Sequence, residues 1–275
     1  MHESRNLKPL LVNALFFVLL VAALFNYPNY PSFGLDPSWA MALSQFFHDG
    51  LQFGPEVTFT FGPLGFLYGN TYMGLHFWSL LCWQLLAAAV FAIIIIDSAQ
   101  LLTGLRRIMY FGFFLFLSHV STDALHLMSI AMIGFALIHR RSETWRPTTV
   151  FLVLFLTLLA SIKFTNLLLA SFAVLLICVQ ALWQGRWHIA LRVAACFLAG
   201  FLAVWMACGQ SPANLPIYLH NSWQLSQGYA QAMARPTPGP PFWLGVTVLV
   251  ALSAYGLLYL ILHCDTSRSL SRFGP

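Results

Sequence analysis

Residues 75–96 read LHFWSLLCWQLLAAAVFAIIII, 22 positions without an Asp, Glu, Lys or Arg. At about 1.5 Å per residue, a helix of that length reaches about 33 Å, enough for the roughly 30 Å hydrocarbon core of a bilayer. Similar apolar runs recur from end to end. The chain of 275 residues is 59% hydrophobic and 8% charged, with 25 phenylalanines, which excludes a soluble globular composition. Barrel strands would read as short alternating segments, and alternation occurs once, briefly, at Val57, Phe59 and Phe61. The fold class expected is therefore an all-α membrane protein. The formal charge of +5 does not point to nucleic acid, because the bases sit in ones and twos between apolar runs and form no patch. The five cysteines lack metal-ligand spacing, and no structural disulfide is expected.

Working outward, the pattern predicts about eight transmembrane helices: 10–25, 75–96, 108–120, 124–138, 150–161, 166–183, 189–206 and 242–262. The first follows Arg5 and Lys8 and is read as an uncleaved signal anchor, since NYPNYP rather than a small-residue cleavage site comes next. With the amino terminus in the cytoplasm, eleven of the thirteen Lys and Arg residues fall on the inner side, and both termini are cytoplasmic. The two left on the outer side are Lys163 and Arg235. This gives one polytopic domain, 1–275, with outer loops at about 26–74 and 207–241, in the inner (cytoplasmic) membrane. Helices three to five are short. Thirteen residues span about 20 Å, so the tips of their hairpins should stop below the outer surface. Those tips are polar, with Asp123 in one and Lys163 in the other. Irregular polar backbone at that depth is tolerated where it lines a wet cavity, and an outward-opening pocket is expected there.

Three of the eight acids, Asp36, Asp49 and Glu56, lie in 35–65, LDPSWAMALSQFFHDGLQFGPEVTFTFGPLG. Asp36-Pro37 reads as a helix start, with Asp as N-cap and Pro at the first helical position. Trp39, Ala42, Leu43, Phe46 and Phe47 then share one face, giving an amphipathic surface helix that ends at Asp49-Gly50. Asp36 is thus either a capping residue or a functional acid. The Phe-Gly-Pro repeats at 53 and 61 describe a rigid aromatic loop: ordinary interface chemistry, or a wall for a sugar or an isoprenoid chain. In the second outer loop, 215–235 reads as another surface helix. There Tyr218, His220, Asn221, Trp223 and Tyr229 are candidates for contacting a sugar, against the alternative of an interfacial belt. Lys163 stands alone in an apolar hairpin, where an ionisable group is functional by default. Snorkelling to the interface, or pairing with Asp123, would account for it equally.

The order of these features resembles the GT-C fold glycosyltransferases, which use dolichyl- or polyprenyl-phosphate-linked sugars. A basic amino terminus and one helix precede an outer-loop acid, Asp36, and a surface helix from Pro37. Phe61-Gly62-Pro63-Leu64-Gly65 looks like the family's proline-leucine loop segment, and Lys163 in SIKFTN looks like the basic residue near the lipid phosphate. The resemblance runs from helix one through helix seven. It implies an inverting hexosyltransferase with Asp36 as catalytic base, Lys163 and Arg235 on the donor phosphate, and Glu56 or Asp123 orienting the acceptor or a metal. Carboxylates and water would suit Mg²⁺ or Mn²⁺ better than zinc. The partners implied are a lipid-linked sugar donor and the bilayer. The family often shows two adjacent acids, whereas Pro37 follows Asp36 here. Such enzymes also continue with more helices or a soluble domain, so the chain reads as truncated at its C-terminus, a minimal enzyme or a relic. A transporter and a non-catalytic membrane scaffold are the rival classes.

Overall fold

The computed structural model describes residues 7–100, 102–117, 122–139, 146–232 and 247; the side chains of 7–10, 36, 117, 139 and 229–232 are outside the described set. Ten α-helices follow one another among the described residues: α1 (Leu7–Leu24), α2 (Leu35–His48), α3 (Gly65–Gly69), α4 (Phe77–Ala99), α5 (Leu105–Leu117), α6 (Thr122–His139), α7 (Pro147–Ala160), α8 (Phe164–Trp183), α9 (Trp187–Ala207) and α10 (Leu215–Ala232), with a 3-10 turn at Pro212–Asn214 before α10. No strand occurs among these residues, only three isolated bridges. Contacts divide the chain into Met1–Ser226 and Gln227–Pro275. Of the second unit, the last residues of α10 and Thr247 are described.

Among the described residues three helices, α4, α8 and α9, are long and apolar enough to cross a bilayer, which marks a membrane protein. The expected eighth span, 242–262, lies outside the described residues apart from Thr247. Two of the three middle helices are as short as expected: α5 has 13 residues and α7 has 14. The other, α6, is longer than its apolar pattern suggests, 18 residues, because Thr122 and Asp123 join its first turn. Polar residues are at home there, since their side chains and the acidic charge suit the unpaired N–H groups of a helix start.

Helix α7 begins at Pro147, whose fixed φ suits the first helical position, and its last turn is closed by Ser161 Oγ donating to Thr157 O at 2.8 Å. Lys163 then takes an extended conformation (φ −148°, ψ 141°) and α8 starts. Chain order therefore puts Arg146 and Arg186, the residues preceding α7 and α9, at one end of these helices and Lys163 at the other. α7 packs on α8 and α9, α8 on α6, and α1 on α4. Close approach of α9 to α7 needs Gly200, where a Cβ would stand 2.9 Å from Leu154 Cδ2 and 3.1 Å from Thr157 Cγ2. The core is aromatic: Trp83 and Phe91 of α4 lie 5.9 and 5.8 Å from Phe155 of α7, ring centre to ring centre.

One local expectation is corrected. Helix α2 begins at Leu35 with Gly34 as N-cap, so Asp36 is in the first turn and is not the cap. Gly34 has φ 137°, which a glycine adopts freely, and the Ser38 hydroxyl donates to its carbonyl at 2.5 Å. The alternating 57–61 segment makes isolated bridges at Val57 and Phe61 and no longer strand. Phe53 bridges Val57 across a tight turn, and the Pro63-Leu64-Gly65 stretch runs into α3.

Candidate functional site

The first loop is laid against the turn between α7 and α8 by backbone hydrogen bonds. Phe164 N donates to Thr60 O (2.8 Å), Gly62 N to Ile162 O (2.9 Å) and Leu64 N to Ser161 O (3.2 Å). Phe61 thereby pairs with Lys163 in an antiparallel bridge. A Cβ on Gly62 would collide with Ser161 O, so only glycine permits this approach. Side-chain amides fasten the same loop to 209–222. Gln52 Nε2 donates to Gly209 O (2.9 Å), Gln52 Oε1 accepts from Ser211 N (2.9 Å), and Gln210 Oε1 accepts from Phe53 N (2.8 Å). Asn221 Nδ2 donates to Gly54 O at 2.9 Å.

Lys163 is the charged centre of this assembly. Its Nζ donates to both carboxylate oxygens of Asp123, at 2.9 and 2.8 Å, and lies 5.0 and 5.2 Å from the ring centres of Phe61 and Tyr68. The lysine is 19% exposed and the aspartate 42%. Aromatic faces attract the ammonium, and partial burial strengthens the attraction. The pairing foreseen as one account of Lys163 is present. Trp39, one turn after Asp36 on α2, stacks on Phe61 at 4.9 Å, so the start of α2 rests on the aromatic group that carries the lysine.

Beside this pair lies a cavity of about 350 Å³ whose lining includes Asn26, Asn29, Tyr68, Asn70, Gln84 and His126. Tyr68 connects the two: its ring faces Lys163 and meets His126 edge-on at 5.7 Å. Asn70 follows α3 in a left-handed conformation (φ 48°), which asparagine tolerates, and its Nδ2 donates to Asn26 O and Tyr27 O at 3.2 and 3.3 Å. Its Oδ1 is buried and has no partner among the described residues. His126, 3% exposed, is packed within its helix bundle and hydrogen-bonded at 3.4 Å to Asn166.

The remaining candidates are placed as follows. Glu56 is exposed, and its Oε2 accepts from Gln52 N at 2.6 Å, closing a local turn. Tyr218 leaves the set of sugar-stacking candidates: it is 2% exposed and packs 5.2 Å from Trp205, because the apolar underside of α10 needs a core residue there. Asn221 has its amide committed to the loop, while His220 and Trp223 are exposed. Asp36 and Tyr229 have side chains outside the described set, and Arg235 lies outside the described residues altogether. The structure thus joins Lys163 to Asp123 and does not join Glu56 to them. The sequence pattern alone does not single out Asn26, Asn29, Asn70 or Gln84 as site residues. The available signal was carboxamides recurring in and beside apolar runs, where each must find a partner or a cavity.

His76, packed against Phe47 and Phe66, precedes α4 with its Nε2 buried and without a hydrogen-bond partner among the described residues. Burial holds its pKa below the ordinary 6.5, and neighbouring His48 adds to the effect. A depressed folded-state pKa means that the unfolded chain takes up the proton first, so stability falls as pH drops below about 6.5. Thermal melting between pH 8 and pH 5 should show this loss. His76→Asn, which suits the φ of 58° at this position, should flatten the profile.

No family model, curated protein or solved structure matches this chain. What the fold and the site define is therefore a helical membrane protein with an aromatic-backed ion pair and a carboxamide-lined cavity at one end of its helices.

Proposed function

We propose that the protein is a membrane glycosyltransferase that moves a sugar from a polyprenyl-phosphate donor to an acceptor on the outer face of the cytoplasmic membrane. About eight spans with both termini inside would place the lysine end of the helices outward. The observation that carries the reading is Lys163: a largely buried ammonium, backed by two aromatic rings, beside a cavity large enough for a ligand.

In the proposed inverting step, Asp36 takes the proton of the acceptor hydroxyl as its oxygen attacks the anomeric carbon. The bond from that carbon to the phosphate oxygen breaks, and polyprenyl phosphate leaves with the electron pair. Lys163, with Arg235 as second cation, stabilises the departing charge, since fixed cations act most strongly where charge develops away from bulk water. Asp123 holds the ammonium until a phosphate arrives, and Glu56 is the remaining acceptor-orienting candidate. Mg²⁺ or Mn²⁺ would need carboxylates gathered together. Among the described residues no three His, Cys, Asp or Glu side chains are so placed.

Asp36→Asn keeps size and removes the base. Transfer should fall by about 10²–10⁴-fold with unchanged expression and membrane insertion. Full transfer in that variant would remove the mechanism, and vesicle transport of solute without sugar transfer would favour a permease instead.

A further inference from the structure

The cavity beside the ion pair differs from it in chemistry. None of the residues lining the cavity is Asp, Glu, Lys or Arg. Its polar equipment is carboxamide, phenol, hydroxyl and imidazole, set against the apolar wall of α4 formed by Trp83, Ala87, Ala88 and Phe91. Carboxamides both donate and accept, and the Oδ1 of Asn70, a lining residue only 5% exposed, is buried with no partner among the described residues. Gln84 is held loosely: its amide nitrogen has a 3.5 Å contact to Leu67 O. Leaving such groups unpaired is costly, and burying a net charge among them with no counter-charge is costlier.

We infer that this cavity is a binding site for an uncharged, hydroxyl-bearing head group, and that it discriminates against ionised counterparts of the same shape. The inference rests on the proposed transferase reading and deepens it: the sugar accommodated is a neutral one, with Asn70 and Gln84 accepting from and donating to its hydroxyls. A ring stacked on an aromatic would suit the Trp83 side of the cavity. Charge is kept apart, on Lys163 and Asp123, where a phosphate and not the sugar belongs.

The full chain in nanodiscs can be tested with three probes of equal tail: octyl glucoside, octyl glucuronide and octanol. Equilibrium binding should favour the glucoside over both others by at least about a hundredfold, since a site built to hydrogen-bond hydroxyls can reject an analogue lacking them by about 10⁴–10⁵-fold and a buried carboxylate without a counter-charge is costly. Ala87→Phe should fill the space and abolish glucoside binding. Gln84→Glu, which alters charge and little else, should weaken glucoside binding and admit octyl glucosaminide, whose amine pairs with the new carboxylate. Equal binding of octanol and glucoside in the wild type would overturn the inference, as would glucuronide binding as tightly as glucoside. Selective glucoside binding without any donor turnover would sink the transferase reading and leave the site standing. Efficient transfer of a uronic acid would do the reverse.

Discussion

Lys163→Met should lower sugar transfer from a polyprenyl-phosphate donor by about 10²–10³-fold, the cost of removing one fixed group that stabilises developing negative charge. Methionine preserves the packing against Phe61 and Tyr68, so what is lost is the ammonium. The difficulty is that the same substitution orphans Asp123, whose two oxygens lose their donor. At 42% exposure that carboxylate can be hydrated, and the structural penalty should be modest. The double variant Lys163→Met with Asp123→Asn separates the roles. If the lysine serves the phosphate, the double variant stays as inactive as the single one. If the pair only holds α6 to the α7–α8 turn, removing both charges restores transfer. Lys163→Arg should retain part of the activity, because the charge remains while the geometry shifts.

Gly62→Ala should be the most damaging single methyl group in the described loops. The added Cβ would meet Ser161 O head-on, would stand 3.2 Å from Ser161 C and would stand 3.3 Å from the Tyr218 hydroxyl. Two of these three neighbours are backbone atoms and cannot swing aside. Overpacking of this kind costs about 1–3 kcal/mol. The loss should appear as a lower melting temperature and as faster proteolytic nicking of 50–64, the segment held by the 60–64 and 161–164 hydrogen bonds. Because Phe61 backs Lys163, transfer should fall with loop docking. Gly112→Ala is the control. It sits in α5 with nothing within 4 Å of a new Cβ, and alanine is the better helix former, so the melt should be unchanged or slightly raised.

The helical class and most helix positions could be read directly, because apolar length dominates in a chain with so little charge. The end of the α7–α8 hairpin could be read too. Lys163 is conspicuous in its apolar setting, and Asp123 was a natural partner since both sat at hairpin tips. Other features were hidden for physical reasons. Gly34 outcompetes Asp36 as N-cap through a backbone angle that no sequence pattern displays. Tyr218 carries a hydroxyl yet is a core residue, since which face of α10 turns inward depends on Gly54, where a Cβ would come 2.8 Å from Tyr218 N. The cavity was least visible. Asn26, Asn70, Gln84 and His126 are scattered over a hundred positions, and only tertiary packing brings them together.

Donor turnover by the purified full chain tests the central claim most directly. A labelled neutral sugar on polyprenyl phosphate, presented with an acceptor in nanodiscs, should be transferred, with free polyprenyl phosphate released in equal amount. Wild-type protein that binds the lipid in a Lys163-independent way and releases no polyprenyl phosphate would contradict it.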